Sequence, residues 1–171
     1  MSIHFQDESR FGRMTRPGRR VVKRGVKPVG IVDTCRENFY VYGSVEPING
    51  SFLMMEMEKM SSENFQSFLD EFGQTYAEGF HVMICDGSKI HWSKEIKLPV
   101  NLVLLKLPPY CPELNPIERV WQELKKSLKW KNWNTLQALK DKLFEDIEQL
   151  GCDKIYSLTA WDWIWQAEMA T

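Results

Sequence analysis

Residues 107–121, Leu-Pro-Pro-Tyr-Cys-Pro-Glu-Leu-Asn-Pro-Ile-Glu-Arg-Val-Trp, constrain this chain more than any other stretch. The prolines of the first half forbid a helix there, because each lacks an N–H and pushes its predecessor toward extended backbone. Asn115-Pro-Ile-Glu118 then opens a helix and sets a carboxylate, Glu118, in its first turn. Two more acids fall where an apolar strand meets a turn: Asp7 in Ile-His-Phe-Gln-Asp-Glu-Ser and Asp86 in Val-Met-Ile-Cys-Asp-Gly.

The pattern around these points predicts strands over 1–7, 26–34, 38–46 and 52–57, with a basic connection over 8–24. Ser61 carries a cap signal, and Phe65, Phe68, Leu69, Phe72 and Tyr76 follow at helical spacing. The apolar runs 82–85 and 102–105 have the pattern of strands buried on both faces. Helices are expected at about 114–130, 135–149 and 153–168. This order describes an α/β domain with a mixed sheet flanked by helices and extra helices at its C-terminal end. Its 171 residues suit one domain that buries roughly two-thirds of its unfolded surface.

No apolar run approaches the roughly 20 residues that span a bilayer, and no cleavable leader is legible, so a cytoplasmic protein without a membrane partner is expected. Cysteines 35, 85, 111 and 152 lie far apart, which suits reduced thiols and argues against a zinc site.

Carboxylates from separate elements, two at strand ends and one on a later helix, suit a site for two divalent cations acting on a phosphodiester. Crevices outside the carboxyl ends of strands are where α/β sheets place ligands. Each acid also has a plainer role. An aspartate between a strand and a glycine serves a turn. Asn115 as N-cap, Pro116 as first helical residue and Glu118 two further on would form a capping box. Spacing alone leaves both roles open. Glu8 points away from Asp7 if the strand continues, and is the weaker ligand candidate.

The net charge of −1 does not announce a polyanion partner, but its distribution does. Arg10, Arg13, Arg16, Arg19, Arg20, Lys23, Arg24 and Lys27 occur without one intervening acid. On the helix after Asn115, Ile117, Trp121, Leu124 and Leu128 make an apolar stripe, while Glu118, Gln122, Lys125 and Lys129 share another face. A carboxylate at one end and lysines down the same face would suit a DNA strand lying along the helix. An ordinary solvated face fits equally well.

These residues resemble the DDE transposases of the mariner superfamily, in particular their bacterial insertion-sequence branch. Phe5-Gln-Asp-Glu-Ser is similar to the family's first motif. Val82-Met-Ile-Cys-Asp-Gly-Ser-Lys-Ile-His91 is similar to the second, and the segment 107–121 to the third and most specific. Gly87 stands where the family usually has asparagine, and Cys111 where it usually has serine.

The resemblance implies a ribonuclease H-like fold in which Asp7, Asp86 and Glu118 bind two Mg²⁺ or Mn²⁺ ions. It implies cleavage at transposon ends by activated water, then attack of the freed 3′-OH on target DNA, commonly at TA. Arg10, Arg13, Arg16, Arg19, Arg20, Lys23, Arg24, Lys125 and Lys129 would hold DNA, and His91 would orient a ligand or touch DNA. Members act as dimers on DNA and carry helix-turn-helix domains upstream. None is legible here, so residues 1–171 are expected to form a single catalytic domain, with recognition of transposon ends from a separate subunit. A catalytically silent remnant and a host nuclease of the same fold are the alternatives.

Overall fold

The computed structural model describes residues 1–16, 18, 21–27, 29–109 and 111–169. Strands β1 (Ser2–Gly12), β2 (Asn38–Val45) and β3 (Phe52–Met57) are followed by helix α1 (Ser62–Thr75), then by β4 (His81–Cys85) and β5 (Leu102–Lys106). A short 3₁₀ turn (Pro112–Leu114) leads into α2 (Ile117–Ser127), α3 (Leu136–Thr159) and α4 (Asp162–Met169). The five strands form one mixed sheet in the order β3-β2-β1-β4-β5. β1, β2 and β3 pair antiparallel, while β4 and β5 run parallel to β1.

Side-chain alternation along the central strand divides the core in two. Phe5 and Phe11 face a layer built by Ile117, Val120, Trp121 and Leu124 of α2 with Leu139 and Leu143 of α3. Phe65, Phe68, Leu69 and Phe72 of α1 pack with Tyr42, Met83 and Cys85 on the opposite face. Each of these large side chains is essentially removed from water, a gross gain of roughly 1.5–3 kcal/mol apiece. α1 starts where the cap signal placed it, with Ser61 Oγ accepting from the Asn64 N–H at 3.2 Å.

The structure departs from the sequence-based expectation at several points. β1 does not end at Asp7 but runs to Gly12, because β2 pairs with it along residues 5–12. The described residues of 26–34 form no strand. With β2 on one side of β1 and β4 on the other, this segment has no place beside the strand it follows, and Val29 and Ile31 stand exposed. It belongs to an excursion fastened by side chains instead: Asp33 N–H to Thr15 Oγ1 at 2.7 Å, and Asn132 Nδ2 to the Ile31 carbonyl at 3.1 Å. β5 is an edge strand rather than one buried on both faces, and Val103 and Leu105 are exposed. The break between the helices expected over 135–149 and 153–168 is present at Gly151 (φ 61°), a left-handed residue suited to glycine, but the second of them breaks again before α4.

Candidate active site

Parallel pairing brings Phe5 beside Ile84, so Asp7 and Asp86, two residues further along each chain, arrive side by side. β4 ends at Cys85 while β1 continues against β2 alone. Past that point the β4 side of β1 is uncovered. A carboxylate in the middle of the central strand can therefore line a cleft, which corrects the placement of Asp7 at a strand end.

Glu118 closes the cleft from the first turn of α2. Asp7, Asp86 and Glu118 line one cavity of about 320 Å³, together with Ser88, Leu107 and the proline-rich segment. Pro108, Pro109 and Pro112 keep that segment out of strand and α-helix, and all three line the cavity as a wall.

The capping box does not form. Pro116 occupies the cap position, and no side chain caps the helix. Asn115, 4% exposed, turns inward and donates Nδ2–H to the Gln6 carbonyl at 3.0 Å, while its Oδ1 has no partner. Glu118 is thus free of a capping duty, and Asn115 ties the start of α2 to the residue before Asp7.

Trp121 makes a second tie. Its indole lies over Gly43, where an added Cβ would come within 2.6 Å of the ring, and Gly43 is the register partner of Asp7. From there the indole N–H donates to Asp7 Oδ2 at 2.9 Å. Burial, followed by the charges of Glu8 and Glu118, pushes the Asp7 carboxyl up to about 7.

On the other face of β1, the buried Glu8 accepts from His91 Nε2 at 2.9 Å. His91 Nδ1 lies 3.0 Å from Asp86 Oδ1. Burial works to lower the His91 pKa, but the Glu8 hydrogen bond and the charges of Glu8 and Asp86 outweigh it and the net shift is upward. His91 sits in a turn rather than a helix and holds Asp86 against the sheet. The Asp86 carboxylate also accepts from the Ser88 N–H at 2.8 Å. The turn role of this aspartate is therefore real and compatible with a ligand role.

The expected basic residues separate into groups. Arg16, Gln122, Lys125, Lys126 and Lys129 line a groove of about 500 Å³ along α2. Burial and the charge of Arg16 lower the Lys125 pKa, against the attraction of Glu118 and Asp7. Arg13 is ion-paired within the fold: Glu37 at 2.8 Å and Asp33 at 3.3 Å engage it, acids that lie far along the chain but close in space. Arg10 opens instead onto a depression lined by Arg36 and Asn38. Lys23 and Arg24 are exposed, and Arg19 and Arg20 lie outside the described residues.

The donor set suits hard divalent cations, since it is all carboxylate oxygen. Among the described residues, no three His, Cys, Asp or Glu side chains converge closely enough to enclose one ion. Mg²⁺ fits such an open arrangement, because it is commonly held by one or two carboxylates and completed by water and substrate phosphate. Sequence reasoning left Trp121 in the core, Asn115 as a cap and Glu8 without a partner. The need of a buried indole N–H for an acceptor is the one signal that could have flagged the first.

The sheet order with helices on both faces is ribonuclease H-like. The fold is similar to that of the Mos1 mariner transposase in a paired-end complex with Mn, with a TM-score of 0.70 and 12% identity over 91% of this chain and 51% of that one. It also resembles the HTLV-2 integrase catalytic core domain in complex with magnesium, with a TM-score of 0.50 and 12% identity over 94% of this chain and 83% of that one. This chain therefore spans about half the Mos1 chain.

The family follows from sequence. Residues 2–140 match the model of the DDE superfamily endonucleases, and the chain belongs to that family. A protein of Sinorhizobium fredii, the uncharacterised y4pE/y4sA, is 34% identical over 114 residues, covering 66% of this chain and 79% of that protein.

Proposed function

We propose that this domain is the catalytic part of a transposase, cutting DNA at transposon ends and joining the freed 3′-OH to target DNA. Asp7, Asp86 and Glu118 are its metal ligands. The observation that carries this is the convergence of β1, β4 and α2 on one acidic cleft, with the Arg16–Lys125–Lys129 groove continuing along α2.

Two Mg²⁺ or Mn²⁺ ions bound there would activate water and stabilise the attacking and leaving oxygens. The protein's own contribution is positioning. Trp121 and Asn115 hold Asp7 and the start of α2 in register, and His91 holds Asp86. Arg16, Lys125 and Lys129 neutralise backbone phosphates outside the cleft. The working unit is a homodimer that engages two transposon ends. The Mos1 neighbour, captured with paired ends and Mn, supports this by likeness of fold.

The test is incubation with supercoiled plasmid and Mn²⁺ beside an Asp86→Ala variant. Nicking by the parent alone is expected. Equal nicking by both sinks the site, and nicking by neither favours a silent remnant.

A further inference from the structure

Asp7, Asp86 and Glu118 line the cleft, and among the described residues no lysine or arginine does. A phosphodiester entering it needs a cation at the rim. Lys106 ends β5 in parallel register with Cys85, so it leaves the sheet at the same edge as Asp86. Its stem crosses Gly87: a Cβ there would lie 2.7 Å from Lys106 Cε and 3.3 Å from Nζ. Gly87 is not among the glycines with positive φ, so the backbone does not require glycine there. What the missing side chain provides is room for the lysine.

The ammonium is held on its other side. Lys106 Nζ lies 5.8 Å from the centroid of the Trp92 ring, and the Trp92 indole N–H donates to the Asp86 carbonyl at 3.0 Å. The ring that seats the cation is thus fastened to the backbone of a cleft carboxylate. Ion pairs among the described residues engage Lys126, Lys140, Lys142 and Lys154, but not Lys106. A cation held over an aromatic face beside an acidic cleft, and ion-paired with no carboxylate among the described residues, remains available to an incoming anion.

We propose that Lys106 is a phosphate-holding residue at the mouth of the cleft, seated by Gly87 and Trp92, which engages the DNA strand beside the phosphodiester to be cut. This rests on the DNA-cleaving function proposed above. It also gives a physical role to Gly87, where the resembled family usually has asparagine: a side chain there would stand in the path of the lysine.

The test is fluorescence anisotropy of the 171-residue chain with a labelled DNA duplex across a salt series, in EDTA and in Mn²⁺. Lys106→Gln is expected to weaken binding about five- to tenfold and to reduce the slope of log affinity against log salt by about one. Lys106→Arg recovers most of the affinity. Gly87→Asn weakens binding as Lys106→Gln does, with an unchanged melting temperature. Lys59→Gln, which removes the same charge next to the opposite edge strand, leaves binding as in the parent.

A Lys106→Gln variant that binds like the parent overturns the proposal and makes Lys106 an ordinary solvated lysine. Parent-like binding by Gly87→Asn overturns the seat. A parent without salt-dependent DNA binding overturns the underlying function, and this proposal with it.

Discussion

The indole N–H of Trp121 donates to Asp7 Oδ2 at 2.9 Å, joining the apolar stripe of α2 to a carboxylate on the central strand. Trp121→Phe keeps most of the apolar volume but deletes the bond and leaves a gap over Gly43. A loss of about 1–3 kcal/mol is expected, together with weaker Mn²⁺ binding, because the charged form of Asp7 loses a donor. Thermal melts and calorimetric Mn²⁺ titrations check this, and an unchanged melting temperature contradicts it.

Asp7 is raised from 3.8 to about 7, and His91 is raised from 6.5. Both groups bind their proton more tightly when folded, so their stabilisation is full below the unfolded pKa and is lost as pH rises through the folded one. In EDTA the melting temperature should therefore fall from about pH 4 to about pH 7 through Asp7, and further above pH 6.5 through His91. Asp7→Asn should reduce that fall and melt about 3–6 °C above the parent at pH 8, for a gain of roughly 1–2 kcal/mol. The same variant should not cleave DNA. Millimolar Mg²⁺ should restore the parent's stability at high pH, and a parent that becomes more stable with pH in EDTA counts against the assignment.

Glu8, buried on the α1 side of β1, depends on His91 for its counter-charge. His91→Ala leaves that carboxylate with the Gln6 amide but no counter-charge and releases Asp86, at an expected cost of about 3 kcal/mol and with a clear drop in nicking rate. A double-mutant cycle with Glu8→Gln should give a coupling above roughly 1 kcal/mol. Additive effects would mean that the two residues act independently.

Asn115→Asp separates two roles of one residue. Aspartate caps a helix as well as asparagine does, so a capping role predicts little change. The observed bond needs an N–H donor to the Gln6 carbonyl, which a carboxylate lacks. A loss of about 1–3 kcal/mol and of cleavage is expected, read from melts and plasmid nicking.

Arg13 and Lys129 should behave oppositely, although both belong to basic runs. Arg13→Gln breaks contacts to Glu37, Asp33 and the Trp133 carbonyl, so it should lower the melting temperature and leave the salt dependence of DNA binding unchanged. Lys129→Gln should reduce the salt slope by about one and leave stability alone. Gel-shift titrations at several ionic strengths distinguish the pair.

Much of this was legible in the residues. Local patterns placed β3, the Ser61 cap, the α2 stripe and the break near Gly151, because each rests on neighbours within a turn or two. The parity of Asp7 and Glu8 foretold that they face opposite ways. What could not be read were pairings across long sequence separations. The valines of 26–34 have strand chemistry, but both sides of the neighbouring β1 are taken by β2 and β4. Arg13 looked unopposed until folding brought Asp33 and Glu37 to it. Asn115 offers a cap by its type, and only the approach of β1 gives its amide a better partner.

The central position of β1 also sets when the cleft can form. Asp7 emerges from the ribosome early, and Glu118 follows only after the rest of the sheet has been made. Until α2 docks, Asp7 has neither its indole donor nor the carboxylate of Glu118 across the cleft. The three-walled acidic cleft is thus a property of the completed domain and of no shorter stretch of its sheet.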